Sequence, residues 1–212
     1  NGFTSLMIIS NGMVQAAVTG ALGTVQTSSH GVDVINGASL ALGALTYPNE
    51  ILQITGLGIT NGGALTRVGT GTATYPGQIN VVAGSAGGAR IQGGIEVRGI
   101  INLSNNTLYV RSPSTFTMGS GSIISNATKN SGDGAIYKDG TSIFAIRPSV
   151  DMTGTITVAE GTLELDVPAN GGGIPSGSLL ILSNNVTIRT ASSTTRNVAK
   201  ALRIDGNVNL AG

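Results

Sequence analysis

One short phrase recurs along the whole chain: two apolar residues separated by one position, then two further residues, then Gly or Asn. Met7-x-Ile9-x-x-Gly12 is an early copy and Ile156-x-Val158-x-x-Gly161 a late one. The residue that closes the phrase returns at intervals of roughly 15 to 25 residues. A drifting period of this length indicates structural units that stack on one another rather than a globular arrangement.

Each phrase predicts a strand followed by a corner. Apolar residues at positions i and i+2 place both side chains on one face of a strand. Gly or Asn then supplies a residue that tolerates positive φ, so the chain can turn. The ten predicted corner positions are Gly12, Gly37, Gly62, Gly84, Asn106, Gly121, Gly140, Gly161, Asn185 and Gly206.

A strand-corner-strand unit buries its apolar face only by stacking on copies of itself. The sequence therefore predicts an all-β fold, a right-handed parallel β-helix (β-solenoid) of about ten coils with no significant helix. A content of 33 Gly and 40% apolar residues agrees with this expectation. We expect one β-solenoid domain over residues 1–212, as a segment of a longer chain or of a filament, with less regular coils at 111–150.

Charge and cysteine content limit the kinds of molecule that the chain is expected to bind. The 11 basic and 10 acidic residues give a net charge of +1 without any Lys/Arg run, which disfavours nucleic acid. A loose basic cluster near the C-terminal end is interpreted as a solvated face or an interface rim, with anionic glycan or nucleic-acid contact as the alternative. Its members are Arg189, Arg196, Lys200 and Arg203. The chain has no Cys and no apolar stretch of the length that spans a membrane as a helix.

The acidic residues are candidates for catalysis, because glycoside cleavage uses two carboxylates across a cleft. Glu160, Glu164 and Asp166 form the densest group. Glu164 and Asp166 are separated by one residue, so both are expected on the outward, solubilising face of a strand that points Leu163 and Leu165 inward.

A second acidic group, Asp133, Asp139 and Asp151, lies near Lys138. Asp133 and Asp139 each precede Gly and are interpreted as turn residues. His30 is the only histidine, and with no Cys in the chain it cannot build a His-rich metal site. The sequence therefore predicts no catalytic, cofactor-binding or metal-ligating residue and no cofactor.

The segment Gly63-Ala-Leu-Thr-Arg-Val-Gly69-Thr-Gly71-Thr72, followed by Gly77 and by residues 79–84, resembles the autotransporter-associated β-strand repeats of bacterial passenger domains. That family's pattern is Gly-x-Leu-x-Lys-x-Gly-x-Gly-Thr, and Arg67 stands where Lys is usual. Residues 31–42 and 155–165 are similar to the closing strand pair of the same repeat. The resemblance covers most of residues 20–110 and 152–190.

The resemblance implies a surface-exposed or secreted bacterial protein whose repeats form a β-helical stalk, and it transfers no catalytic residue. We expect an extracellular, non-enzymatic stalk or fibre segment that supports adhesion or cell-surface assembly. Neither end of the sequence resembles a polar cap, so both ends are expected to stack on neighbouring β-helix coils or on copies of the protein. A cell-surface or glycan ligand is a further expected contact. The alternative is a carbohydrate-active β-helix enzyme or a phage tailspike-like glycan-binding protein.

Overall fold

The computed structural model describes residues 5–23, 31–119, 122–125, 134–147, 150–165, 178–190 and 201–211. These residues form a parallel β-helix, in which the chain passes repeatedly through three sheets in the same order. The predicted all-β fold of stacked parallel strands is confirmed. The described residues contain no α-helix, and two short 3₁₀ helices lie between strands, at Thr19–Leu22 and Ile59–Asn61.

The three sheets are named A, B and C in the order in which the chain meets them. Sheet A contains seven strands, β1 (Met7–Ile9), β3 (Val32–Val34), β5 (Leu52–Thr55), β8 (Ile79–Val82), β11 (Ile100–Asn102), β14 (Ile123–Ser125) and β17 (Val150–Asp151). Sheet B contains nine strands, β2 (Met13–Ala16), β4 (Ser39–Leu42), β6 (Leu65–Arg67), β9 (Gly88–Gln92), β12 (Thr107–Arg111), β15 (Ala135–Asp139), β18 (Thr155–Val158), β20 (Leu179–Ser183) and β22 (Ala201–Asp205). Sheet C contains seven strands, β7 (Ala73–Tyr75), β10 (Ile95–Val97), β13 (Phe116–Met118), β16 (Ile143–Ile146), β19 (Thr162–Leu165), β21 (Val186–Thr190) and β23 (Val208–Ala211).

The number of coils is slightly smaller than the ten expected. Seven strands in sheets A and C and nine in sheet B give between seven and nine coils in the described chain. The difference arises because two phrases belong to a single coil. Strands β11, β12 and β13 follow one another through the three sheets, so the phrases that close at Asn106 and Gly121 mark one coil. Gly121 itself lies outside the described residues.

The repeated phrase does not mark the same corner in every coil. Through Asn106 it closes between sheets A and B, whereas from Gly140 onward it closes between sheets B and C. An i, i+2 apolar pair is present in strands of both sheets, so the sequence pattern alone cannot separate them.

Six of the predicted corner residues have the positive φ of a left-handed backbone. The other three that the structure describes lie within three residues of a position with positive φ. Positive φ is found at Gly12, Gly37, Gly140, Gly161, Asn185 and Gly206. Gly62 and Asn106 lie next to left-handed residues, Asn61 and Gly63 in the first case and Asn105 and Ser104 in the second. At Gly84 the left-handed residue is Gly87, three positions later. A corner of several residues can thus place its left-handed position away from the residue that closes the phrase.

The described strands of 111–150 continue the sheets in register, while residues 120–121, 126–133 and 148–149 of the region expected to be less regular lie outside the described residues. β15 pairs with β12 and with β18, and β13 pairs with β16. Within sheet C this register brings Phe116 over Phe144, with ring centroids 5.5 Å apart. Aromatic side chains thus occupy buried inward positions here without interrupting the stack.

The core is a set of inward-facing columns that run from coil to coil. Val34, Ile54 and Val81 are successive partners in sheet A, and all three are almost completely buried. The residues between the inward positions, such as Gln53, remain partly exposed on the outer face. Burying one such aliphatic side chain contributes about 1.5–3 kcal/mol, so every coil depends on those above and below it.

The corner glycines offer a matched test of backbone conformation. Gly12 has φ +73° and an added Cβ would meet nothing within 4 Å, whereas at Gly161, with φ +81°, it would lie 2.5 Å from the Gly140 carbonyl oxygen. Gly12→Ala is expected to cost about 1–2 kcal/mol, the strain of a left-handed L-residue. Gly161→Ala should cost more, because the backbone of the preceding coil at Gly140 must also move. Urea unfolding followed by circular dichroism checks this order, and equal losses would contradict it.

Candidate functional site

The predicted carboxylates hold structural partners. Glu164 lies on the outer face of β19, directly opposite Arg189 in the register, and Arg189 Nε donates to Glu164 Oε2 at 2.7 Å. Glu164 is only 8% exposed, so the interpretation as a solubilising surface residue is wrong. The cause is the stacking register, which brings a cation from the next coil over the carboxylate. Glu160 Oε2 instead accepts the backbone N–H of Gly140 at 3.0 Å.

Asp139 belongs to a charged group on the outer face of sheet B. Its Oδ2 lies 3.5 Å from Arg90 Nη2 and 3.7 Å from Arg111 Nε. The expected turn is present, since Gly140 follows with φ +78°, but the side chain also links three successive coils, through Arg90 in β9 and Arg111 in β12. Asp139, Glu160 and Glu164 therefore each have a cationic or backbone partner of their own.

Several predicted positions lie outside the described residues: His30, Asp133, Asp166, Arg196 and Lys200. Asp151 forms part of β17. Within the described ranges, no group of three or more His, Cys, Asp and Glu residues is placed so that it could hold a metal ion. Among the same residues there is no helix of the length and hydropathy that crossing a bilayer requires.

Lys138 occupies an inward position of sheet B, which the sequence reasoning missed. In the register it stands between Val110 and Val158, both core residues, and it is fully buried. Its Nζ donates to the carbonyl oxygens of Asp139 at 2.9 Å and of Glu160 at 3.0 Å, and also to that of Gly140. The ammonium thereby satisfies three backbone acceptors at the corner between sheets B and C, one of them in the following coil.

A sequence signal for this role was present. Gly134-x-Ile136-x-Lys138-x-Gly140 has the same spacing as Gly63-x-Leu65-x-Arg67-x-Gly69. Arg67 Nη1 donates to the carbonyl of Gly69, two residues onward, as Lys138 does to that of Gly140. A cation at the last inward position of a sheet B strand thus reaches over the corner that follows it in both coils.

The pKa of Lys138 reflects this position. Burial lowers the pKa of the ammonium from its ordinary value, and the nearby carboxylates of Asp139 and Glu160 oppose that change. The residue is inaccessible to solvent and is held by backbone groups. Its arrangement fits a corner cap rather than a base or a nucleophile, which would need access to a substrate.

Glu50 is a buried carboxyl group with an unusual environment. It is fully buried, and neither carboxylate oxygen has a hydrogen-bond partner in the described chain. A Cβ at Gly31 would lie 2.3 Å from its Oε2, so the carboxyl group packs directly against that glycine. Burial raises the pKa of Glu50 above its ordinary value.

The C-terminal coil leaves apolar inward positions open to solvent. We call β22 and β23, residues 201–211, the open coil. Each of these strands ends its sheet, and within the described chain no strand pairs with its outer edge. Leu202 and Ile204 are 51% exposed, although their register partners in β20, Leu180 and Leu182, are buried. Leu210, which continues the column above Ile188, is 77% exposed.

The N-terminal coil has a matching edge. β1 and β2 end sheets A and B on the opposite side, and each pairs with one described strand only. Val14, at the inward position opposite Leu40, is 39% exposed, while Leu40 is fully buried. Each end of the described column thus has strand edges that pair with no further described strand and inward apolar side chains that no further coil covers.

Comparisons with protein-family models, with curated proteins and with solved structures found no match to this chain.

Replacing Lys138 tests the corner cap. Lys138→Met keeps the buried stem but leaves three carbonyls without their donor. We expect the free energy of unfolding to fall by about 2 kcal/mol, because the cost of the unpaired buried carbonyls exceeds the gain from no longer burying a charge. Arg98→Met is the control, since the Arg98 side chain is 54% exposed and its removal should change stability by less than about 0.5 kcal/mol. Chemical denaturation measures both, and equal effects would rule out the cap.

Replacing Glu50 tests its buried carboxyl group. The folded-state pKa of Glu50 is raised. In the unfolded chain Glu50 loses its proton near its ordinary pKa of 4.5, whereas in the folded chain it keeps that proton to a higher pH. The free energy of unfolding therefore falls as the pH rises above 4.5. Glu50→Gln removes that dependence, so the variant should be more stable than the wild type at pH 7 and nearly equal to it at pH 4. A stability difference that does not change with pH would contradict this.

Proposed function

We propose that this protein is a structural β-helix segment, an extracellular stalk or fibre piece of a bacterial surface or secreted protein of the autotransporter-like kind. It supports adhesion or cell-surface assembly by end-to-end stacking of coils and acts without catalysis. The single observation that carries the proposal is the open coil. Its inward leucine and isoleucine positions continue buried columns yet face solvent, beside a free strand edge.

Two interactions favour the stacking of one copy on another. A free strand edge presents backbone donors and acceptors that another strand can pair with. Covering the exposed aliphatic side chains with a further coil stabilises the contact by about 25 cal/mol for each Å² of apolar surface removed from water. Because the described strands all pair in parallel, the two ends of the column differ. One end of a copy would therefore stack on the opposite end of the next, a head-to-tail contact that extends a fibre.

The extracellular, bacterial part of the proposal is supported by the likeness of residues 63–84 to autotransporter-associated repeats and by a chain with no Cys. The structural, non-catalytic part is supported by the partners of the acidic side chains. Glu160 accepts a backbone N–H at a corner, Glu164 pairs with Arg189, and Asp139 contacts two arginines. These contacts favour a scaffold over the carbohydrate-active enzyme that the sequence left as an alternative.

Self-association of the chain tests end-to-end stacking. Sedimentation velocity over a wide range of protein concentration should show a mass that rises with concentration. Leu210→Lys places a charge on the open coil and should shift the protein to monomer. Ile123→Lys is the matched control, because Ile123 is 40% exposed but lies on the side of the column, in β14. It should associate like the wild type.

A wild type that remains monomeric at every concentration would overturn the stacking of copies. An Ile123→Lys variant that loses association as fully as Leu210→Lys would also overturn the assignment to the open coil. Circular dichroism and thermal unfolding of both variants establish that each retains the β-helix.

A further inference from the structure

Two tyrosines stand side by side on the outer face of sheet B. Tyr109 and Tyr137 are register partners in neighbouring coils, with ring centroids 6.0 Å apart and ring planes inclined by 58°. Tyr137 is 38% exposed. The chain has only 4 Tyr and no Trp, and the other two tyrosines, Tyr47 and Tyr75, are buried in the core. Half of the tyrosines thus form a pair on an outer surface.

Arginines border this pair. Arg90 is the register partner of Tyr109 on the preceding coil, and its guanidinium carbon lies 5.9 Å from the Tyr109 ring centroid. Arg90 is only 7% exposed, and its Nη1 donates to the Asn61 carbonyl at 2.9 Å. The guanidinium is therefore held in place beneath the surface and supports the Tyr109 ring by a cation–π contact.

Arg111 supplies the accessible charge. It lies two residues after Tyr109, so its side chain projects from the same face, and that side chain is 52% exposed. Its only described carboxylate contact is Asp139 at 3.7 Å, and Asp139 is shared with Arg90. Two guanidinium groups against one carboxylate leave this part of the surface with a net positive charge.

We propose that these residues bind an acidic polysaccharide that lies along the axis of the column; we call Arg90, Tyr109, Arg111 and Tyr137 the tyrosine–arginine face. The apolar face of a sugar ring packs on an exposed aromatic ring, here that of Tyr137. A uronate carboxylate accepts hydrogen bonds from a guanidinium in a two-pronged geometry, here that of Arg111. Neighbouring coils are about 4.8 Å apart, which is similar to the length of one sugar ring in an extended chain.

This site is independent of the stacking proposed above. It is formed by β9, β12 and β15 of three successive coils in the middle of the column, away from both ends. A protein that never associates end to end can still bind the polysaccharide, and a fibre can form without it.

Binding is measured by isothermal titration calorimetry and affinity electrophoresis with polygalacturonate, alginate and hyaluronate. Fully methyl-esterified pectin serves as the matched neutral probe. The variants are Tyr137→Ala, Tyr137→Phe and Arg111→Gln. Arg98→Gln is the control, because the Arg98 side chain is 54% exposed, like that of Arg111 at 52%. Each of the two arginines also contacts one carboxylate, Glu96 for Arg98 and Asp139 for Arg111.

The proposal predicts that at least one acidic polysaccharide binds and that the esterified probe binds at least about tenfold more weakly. Tyr137→Ala and Arg111→Gln should each weaken binding by about tenfold, whereas Tyr137→Phe and Arg98→Gln should bind like the wild type. Absence of binding to all three acidic polysaccharides overturns the proposal. So does an equal loss in Arg98→Gln and Arg111→Gln, which would mean non-specific attraction, or unchanged binding by Tyr137→Ala. Unchanged thermal unfolding of the variants excludes loss of the fold.

Discussion

The register between successive parallel strands is the constraint on which the rest of this structure depends. Because partners such as Ile54 and Val81 stand directly above one another, inward side chains form continuous columns and outward side chains form ladders. A shift of one residue in any coil would turn its apolar side chains to solvent. The same register fixes every polar feature of the column: it places Arg189 over Glu164, Tyr109 over Arg90 and Lys138 within reach of the Glu160 carbonyl.

Corners set the second requirement, since a turning backbone leaves carbonyl groups without strand partners. Left-handed residues such as Gly140 and Gly161 allow the turn, and cationic side chains satisfy the acceptors it leaves. Lys138 is buried in an aliphatic column for this reason. A charged residue in a hydrophobic core is ordinarily read as a functional site. Here its three backbone partners give it a structural role instead. The open coil and the tyrosine–arginine face are the two surfaces through which we propose that the column meets other molecules.

The sequence pattern was sufficient to predict the architecture but not its details. An apolar pair followed by Gly or Asn, repeated with a drifting period, has few solutions other than a β-helix. The pattern could not show that Asn106 and Gly121 close corners of one coil, because strands of all three sheets have the same alternation. Nor could it show the pairing of Glu164 with Arg189 or of Tyr109 with Tyr137, since those contacts depend on loop lengths between coils. The role of Lys138 could have been predicted from the sequence, because the spacing of residues 134–140 repeats that of residues 63–69, which contain Arg67 at the same place.

A column held together by contacts between neighbouring coils is least stable where a coil has one neighbour. Native-state hydrogen exchange of dilute protein tests this most directly. The account predicts the slowest amide exchange in central strands such as β9, β12 and β15, the fastest in β22 and β23, and slower exchange of β22 and β23 at concentrations where copies stack. Uniform protection along the chain, or an open coil as protected at low concentration as the central coils, would contradict it.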